Sequence, residues 1–226
     1  MKKNYWITLF LVVLTADIAG IQVQNEAIQY VCKPLLMIIL AAFFLSQTKS
    51  RVRGLKKWIL AALFFSWAGD VLLMFQESKS LFFLLGLSAF LIAHVFYIVF
   101  FHNIRVQENI KSNPLLLLLV VVYYAGLMTL LSPYLGTMKL PVRIYGIVIS
   151  FMFMLAMHML FINNKTAGRW MITGAMLFVM SDSILAINKF YQPFEAAGII
   201  IMLTYGLAQF FIVMGAIHYI RLVNSN

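Results

Sequence analysis

Three aspartates interrupt long apolar stretches of this 226-residue chain, and they are the side chains best suited to chemistry. Asp17, Asp70 and Asp182 lie in the segments "LTADIAG", "FSWAGDVLLMF" and "VMSDSILAI". In a dry cavity one carboxyl group can stay protonated and act as an acid, while a second, ionised one stabilises a developing cation and orients water. The residues therefore predict an inward-facing polar cavity, in which such chemistry is open to them if helices hold them together.

The composition predicts that these helices lie in a membrane. The chain is 63% hydrophobic and only 11% charged, with a mean hydropathy of +0.94, far from a soluble domain. Runs of about 20 apolar residues predict an all-α polytopic membrane protein, one domain of residues 1–226 with eight spans at 5–21, 34–47, 56–75, 80–102, 114–132, 141–161, 168–187 and 195–220. The second run is short, and whether it starts before Lys33 and Pro34 is left open.

The basic residues predict the orientation of the chain and its partners. If the eight spans are right, one side of the membrane holds twelve of the seventeen Lys and Arg residues: Lys2, Lys3, Lys49, Arg51, Arg53, Lys56, Lys57, Arg105, Lys111, Lys165, Arg169 and Arg221. The positive-inside rule then places both termini in the cytoplasm of a bacterial inner membrane. The cluster "QTKSRVRGLKK" indicates contact with anionic lipids, and no nucleic-acid partner is expected because no aromatic-studded or motif-bearing segment accompanies it.

The three acids share a depth, and two of them share a sequence context. Each lies four or five residues before the outer end of spans 1, 3 or 7, roughly 6 to 8 Å below the outer boundary. "GDVLLMF" and "SDSILAI" both place a small residue before the aspartate, and a glycine opens the next helix sixteen residues later, Gly86 after Asp70 and Gly198 after Asp182. This pattern predicts two four-helix parallel repeats that bring Asp70 and Asp182 toward each other.

Other polar side chains fall on shared helical faces. The pairs, three or four residues apart, are His94 with Tyr97, Tyr205 with Gln209, and Ser66 with Asp70. They line the same polar cavity or serve as hydrogen bonds between helices. Lys189 lies two turns beyond Asp182, where it either meets a phosphate or extends to the membrane surface.

The histidines argue against a catalytic metal. His102, His158 and His218 fall near the inner ends of their spans, so only His94 is close in depth to the carboxylates. A single histidine together with carboxylates is not a typical set of protein ligands for zinc. Neither a Gly-x-Ser-x-Gly elbow nor a Gly-rich phosphate loop is present, and we expect no metal and no cofactor.

Five motifs taken together resemble the lysoplasmalogenase (YhhN-like) family. They are "KPL" in span 2, "FSWAGDVLLMF" in span 3, "GLSAFLIAHVFYIVFF" in span 4, "GAMLFVMSDSILAINKF" in span 7 and "YGLAQFFIVMG" in span 8. The resemblance covers nearly the whole chain and implies an eight-span enzyme that hydrolyses the vinyl-ether bond of lysoplasmalogens. It implies Asp70 and Asp182 as the acidic pair, with motif positions around them at Lys33, His94, Tyr97, Asn188, Lys189, Tyr205 and Gln209. Asp17 and Ser66 join these as candidates for substrate binding.

The implied reaction suits the residues, because vinyl ethers yield to acid rather than to bases or nucleophiles. Its substrate is a lysophospholipid with an alkenyl linkage just beneath the headgroup, at the depth of the three aspartates. A proton- or ion-coupled carrier of lipids or small molecules also shows repeated halves and intramembrane acids, and a lipid-binding protein could use such a cavity without turnover. Both alternatives stay open, although the prolines all fall at span ends and the acids lie off the midplane.

Overall fold

The structure, a computed structural model, describes residues 3–48, 53–76 and 78–223. Eight long helices make up this described part: α1 Lys3–Gln22, α2 Glu26–Gln47, α3 Arg53–Met74, α4 Ser80–Gln107, α5 Pro114–Leu131, α6 Lys139–Met157, α7 Lys165–Ala186 and α8 Ala197–Val223. All eight are long and apolar enough to cross a membrane, which confirms the all-α class and indicates an integral membrane protein. Among the charges used to predict topology, Lys2, Lys49 and Arg51 lie outside the described residues, as does the loop acid Glu77.

Helix α2 starts well before the predicted span at residue 34. Asn25 caps it, because its side-chain oxygen accepts a hydrogen bond from the backbone N–H of Ile28 at 3.2 Å. Lys33 and Pro34 therefore lie inside α2. The prediction that every proline falls at a span end was wrong for Pro34. The first two turns of α2 contain the polar residues Glu26 and Gln29, so they do not belong to an apolar run and were left out of the predicted span.

The chain divides into two compact units, of which the first comprises Met1–Tyr97 and Ala216–Asn226. In this unit α1 packs on α2 and α2 on α3. Helices α3 and α4 approach closely at two glycines. A Cβ atom at Gly69 would lie 2.6 Å from Cδ2 of Phe90, and one at Gly86 would lie 2.7 Å from a methyl carbon of Leu73. Asp70 follows Gly69 directly, so this close packing fixes the turn of α3 that carries the acid.

The second unit comprises Ile98–Gly215, in which α6 packs on α5 and α7. Helices α7 and α8 meet through Gly174, where a Cβ atom would lie 2.7 Å from both the Ala208 oxygen and the Ile212 nitrogen. The Ser181 hydroxyl adds a hydrogen bond to the Ile201 carbonyl at 3.0 Å. These contacts hold the turn of α7 that carries Asp182 against α8.

The C-terminal ends of α3 and α7 are separated by the same number of residues as the two aspartates. Asp70 and Asp182 are 112 residues apart (182 − 70), and α3 and α7 end 112 residues apart (186 − 74). A shared register fits an internal repeat. The repeat itself, and a single domain for residues 1–226, stay predictions.

Candidate functional site

Asp70 lies in a buried polar stretch of the first unit. Its side chain is 1% exposed, and Ser66, one turn earlier on α3, is fully buried. Met74 ends α3 four residues later, so Asp70 lies about 6 Å below the helix end. A charged group with so little access to water needs polar surroundings, as expected of a functional acid.

His94 and Tyr97 are both fully buried on α4, the helix whose Phe90 packs against Gly69. The His94 ring is oriented by its Nδ1 atom, 2.6 Å from the carbonyl oxygen of Phe90. A carbonyl only accepts hydrogen bonds, so Nδ1 carries the proton and Nε2 of the neutral ring is an acceptor. His94 thus presents a defined tautomer, fixed by its own helix.

Asp17 and Lys33 are the two charged candidates on α1 and α2 of the first unit. Asp17 is 1% exposed, and neither of its carboxyl oxygens has a hydrogen-bond partner among the described residues. Lys33 on α2 is half-buried, and the charges of the two side chains interact. Since burying a carboxylate without hydrogen bonds is costly, Lys33 offsets part of the cost of Asp17.

Asp182 is held by a tyrosine that the sequence patterns did not reveal. The Tyr145 hydroxyl on α6 donates a hydrogen bond to Asp182 Oδ2 at 2.5 Å, and Tyr145 is only 9% exposed. A part-buried hydrogen bond of this length to a carboxyl group is a strong one. Tyr145 therefore fixes the orientation of the Asp182 carboxyl group.

A second tyrosine lies beside this pair. The Ser183 hydroxyl donates to the Val179 carbonyl at 2.5 Å, so its oxygen accepts the hydrogen bond from the Tyr123 hydroxyl of α5. Both tyrosines, Asp182 and Ser183 border a cavity of about 30 Å³. A cavity above about 10 to 15 Å³ has room for a water molecule, so a water molecule fits beside Asp182 and Ser183.

The remaining candidates of the second unit play different structural roles. Gln209 is fully buried on α8, and Tyr205, 5% exposed, packs edge-on against Phe178 with ring centroids 5.5 Å apart. Asn188 and Lys189 lie on a π-helical turn, Ile187–Tyr191, that extends α7. The Asn188 side-chain oxygen accepts from the Phe194 backbone N–H at 3.1 Å, so it shapes the turn, whereas Lys189 is exposed.

The predicted site residues thus divide between the two units. The first holds Asp17, Lys33, Ser66, Asp70, His94 and Tyr97, and the second holds Asp182, Asn188, Lys189, Tyr205 and Gln209. That Asp70 and Asp182 share one cavity stays a prediction. In the described part of the chain no group of three or more His, Cys, Asp and Glu side chains could hold a metal ion.

Tyr145 and Tyr123 are the functional candidates missed by sequence reasoning. The predicted repeat offers a signal for the first, because Tyr145 lies 112 residues after Lys33 (145 − 33), the spacing of the two aspartates. Under that prediction, α2 and α6 carry a polar residue at the same register. No comparable signal marks Tyr123 within the apolar run of α5.

Comparison with known proteins identifies the family. The model of the YhhN family matches residues 28–216, which include ten of the eleven predicted site residues, all but Asp17. The chain belongs to the YhhN family.

Curated relatives of this YhhN protein extend from bacteria to mammals. Lysoplasmalogenase TMEM86B of Homo sapiens is 32% identical over 187 residues, covering 82% of this chain and 73% of the relative. The Rattus norvegicus TMEM86B lysoplasmalogenase is 29% identical, covering 82% and 71%. The lysoplasmalogenase of Mycobacterium tuberculosis is 28% identical over 194 residues, covering 84% and 71%. No solved structure matches this YhhN protein.

Proposed function

We propose that this YhhN protein is a membrane-embedded lysoplasmalogenase. It hydrolyses the vinyl-ether bond of alkenyl-glycerophosphoethanolamine or -choline to a fatty aldehyde and a glycerophospho-base. The observation that carries the proposal is the match over more than four fifths of the chain to relatives named for this activity. The buried Asp70 and the half-buried Asp182 supply a chemistry that suits the reaction.

The proposed mechanism needs a proton donor and a negative charge. A protonated carboxyl group transfers its proton to the vinyl carbon beta to the ether oxygen, which gives an oxocarbenium ion. The second, ionised carboxylate stabilises this cation and orients a water molecule that adds to the carbon bearing the oxygen. The added water gives one proton to the carboxylate that had lost its own, which restores the acid. The hemiacetal then breaks to aldehyde and alcohol as its hydroxyl proton is passed to the departing glycerol oxygen, with the two carboxyl groups exchanging roles as in a glycosidase pair.

We assign these two roles to Asp70 and Asp182. Support for Asp182 comes from its hydrogen bond to Tyr145 and from the cavity beside it, which has room for the attacking water. Support for Asp70 comes from its burial and from its place one turn after Ser66 and beside the contact of Gly69 with Phe90. Either carboxyl group can serve as the donor in this scheme.

The depth of the acids also supports a one-chain lipid as substrate. Asp70 and Asp182 each lie four residues before the end of their α-helices, about 6 Å inside. The alkenyl linkage of a lysoplasmalogen lies at a similar distance below its headgroup. We further propose that the protein lies in a bacterial inner membrane with both termini in the cytoplasm.

The direct test is to incubate the purified, detergent-solubilised full chain with lysoplasmenyl-ethanolamine and to assay free aldehyde. The control substrate is the same lipid with a saturated ether, which has no double bond to protonate and must stay intact. Aldehyde from the first lipid alone supports the proposal. Binding of both lipids with no aldehyde would contradict it and favour a carrier or a lipid-binding protein.

A further inference from the structure

A polar cleft lies at the end of the first unit where α1 and α3 finish and α2 begins. Its volume is about 520 Å³, within the range of roughly 300 to 1,000 Å³ usual for small-molecule sites. Its polar lining consists of Gln24, Glu26, Gln29, Lys33, Gln76 and Ser78. Apolar residues of α1 and α3, among them Ile21 and Leu73, complete the walls. The cleft is therefore amphipathic, as a site for a lipid headgroup must be.

Two opposite charges face this cleft from one helix. Glu26 and Lys33 are seven residues apart on α2 and both line the cavity, so they share a helical face with about 10 Å of rise between them. Within the described residues they do not form an ion pair with each other. Their side chains leave room between them for a ligand that carries both a negative and a positive charge.

The side-chain oxygen of Gln76 adds a hydrogen-bond acceptor to the lining of the cleft. Its Oε1 atom is buried and has no hydrogen-bond donor among the described residues. A buried carbonyl oxygen of this kind is usually satisfied, and an ammonium group offers three donors. A cationic end of a ligand near Glu26 and Gln76 would satisfy this atom.

Structural roles explain the presence of only some of the polar residues that line the cleft. Glu26 lies in the first turn of α2, where an acid stabilises the helix dipole. The Gln29 side chain binds the Gly20 carbonyl at 3.4 Å and ties α2 to α1. These roles, and the interaction of Lys33 with Asp17, do not explain why the buried Gln76 oxygen faces the same cavity.

We propose that this cleft binds the zwitterionic phosphoethanolamine head of the substrate, with Lys33 on the phosphate and Glu26 and Gln76 on the ammonium group. The inference rests on the proposed lysoplasmalogenase function. Leu73 and Met74 line the cleft one turn after Asp70. One turn rises about 5.4 Å, close to the reach of the glycerol backbone between phosphate and vinyl-ether oxygen. A head bound in the cleft therefore leaves the vinyl ether at the height of Asp70.

The test is a headgroup preference measured without turnover. The probes are a saturated-ether lysophosphoethanolamine, which cannot be cleaved, and the same lipid lacking the ethanolamine. Their affinities for the detergent-solubilised full chain are obtained from the lipid-dependent rise of the unfolding midpoint. We expect the wild type to prefer the amine-bearing head by about three- to fivefold, the usual effect of a solvent-exposed ion pair.

Substitutions at Glu26 then separate recognition from folding. Glu26→Gln should abolish the preference, and Glu26→Lys should reverse it in favour of the phosphate-only lipid. The matched control is Glu195→Gln, because Glu195 is exposed and does not line the cleft. It should keep the wild-type preference.

The inference would be overturned if the wild type bound the two lipids equally well. It would also be overturned if the affinity ratio of both Glu26 variants stayed within twofold of the wild-type ratio. A phosphatidylethanolamine with two acyl chains should compete at least tenfold more weakly than the one-chain probe. Equal competition would also overturn it, by assigning the cleft to bulk membrane lipid.

Aldehyde release is a separate readout of the proposed function. A wild type that shows the headgroup preference but releases no aldehyde contradicts the proposed function and supports the cleft as a head-binding site.

Discussion

At the residue scale, the site depends on how each acid inside a helix is compensated. Asp182 receives a hydrogen bond from Tyr145, whereas Asp17 has no hydrogen-bond partner among the described residues and interacts with the positive charge of Lys33. The aspartates were predictable from sequence, because charged residues are rare in apolar helices. Tyr145 was not, because a tyrosine suits a lipid-facing, interfacial or buried position equally well, and its contact depends on the rotation of α6.

Replacing Tyr145 by Phe should lower kcat about tenfold with KM little changed. The substitution removes the hydroxyl that positions the Asp182 carboxyl group and leaves the ring in place, and one such bond is worth about 1.5 kcal/mol. The matched control is Tyr124→Phe, because the Tyr124 hydroxyl makes only a 3.4 Å contact with the Arg143 carbonyl. Aldehyde release against substrate concentration gives both constants. A raised KM with kcat unchanged would contradict a positioning role.

Replacing Asp17 by Asn should raise the unfolding midpoint in detergent by a few degrees. A neutral amide costs less to bury than a carboxylate without hydrogen bonds, and the side-chain shape is kept. Turnover should fall less than in the corresponding Asp70 and Asp182 variants. A clearly lower midpoint would show instead that the interaction with Lys33 outweighs the burial cost of Asp17.

At the element scale, the sequence predicted every helix but not every helix end. The seven clear spans agree with the observed helices to within a few residues. A long apolar run that crosses a membrane must be helical, because its backbone polar groups find hydrogen-bond partners only within the segment. Helix α2 was the exception, because its first turns contain Glu26 and Gln29 and begin at the Asn25 cap. That error matters, because these two turns carry Glu26 and Gln29, two of the polar residues that line the cleft.

The contact between α7 and α8 provides a sharp test of the packing around Asp182. In Gly174→Ala the new methyl would lie 2.7 Å from α8 backbone atoms, which cannot move as a flexible side chain does, so unfolding should become easier by about 1 to 3 kcal/mol. The control is Gly126→Ala on α5, where nothing lies within 4 Å. Unfolding midpoints of both variants check this, and equal midpoints would argue against the close packing of α7 on α8.

At the scale of the whole molecule, the basic residues predict the orientation in the membrane. A reporter fused after residue 226 should be cytoplasmic, and one inserted between residues 132 and 138 should lie outside, because twelve of the seventeen basic residues share the side of the termini. Reporter activity in cells measures both positions. The opposite pattern would move the three aspartates to the inner leaflet and would contradict the proposed orientation of the chain.

The central claim is that Asp70 and Asp182 act as one catalytic pair, and the most direct measurement is aldehyde release from lysoplasmenyl-ethanolamine by Asp70→Asn, Asp182→Asn and the double variant. Asparagine keeps the size of aspartate but neither transfers the proton nor carries the charge. We predict that each single variant stays folded and loses at least about 100-fold in rate, with the double little worse than the worse single. Folded single variants that each keep more than about a tenth of the wild-type rate would contradict the account.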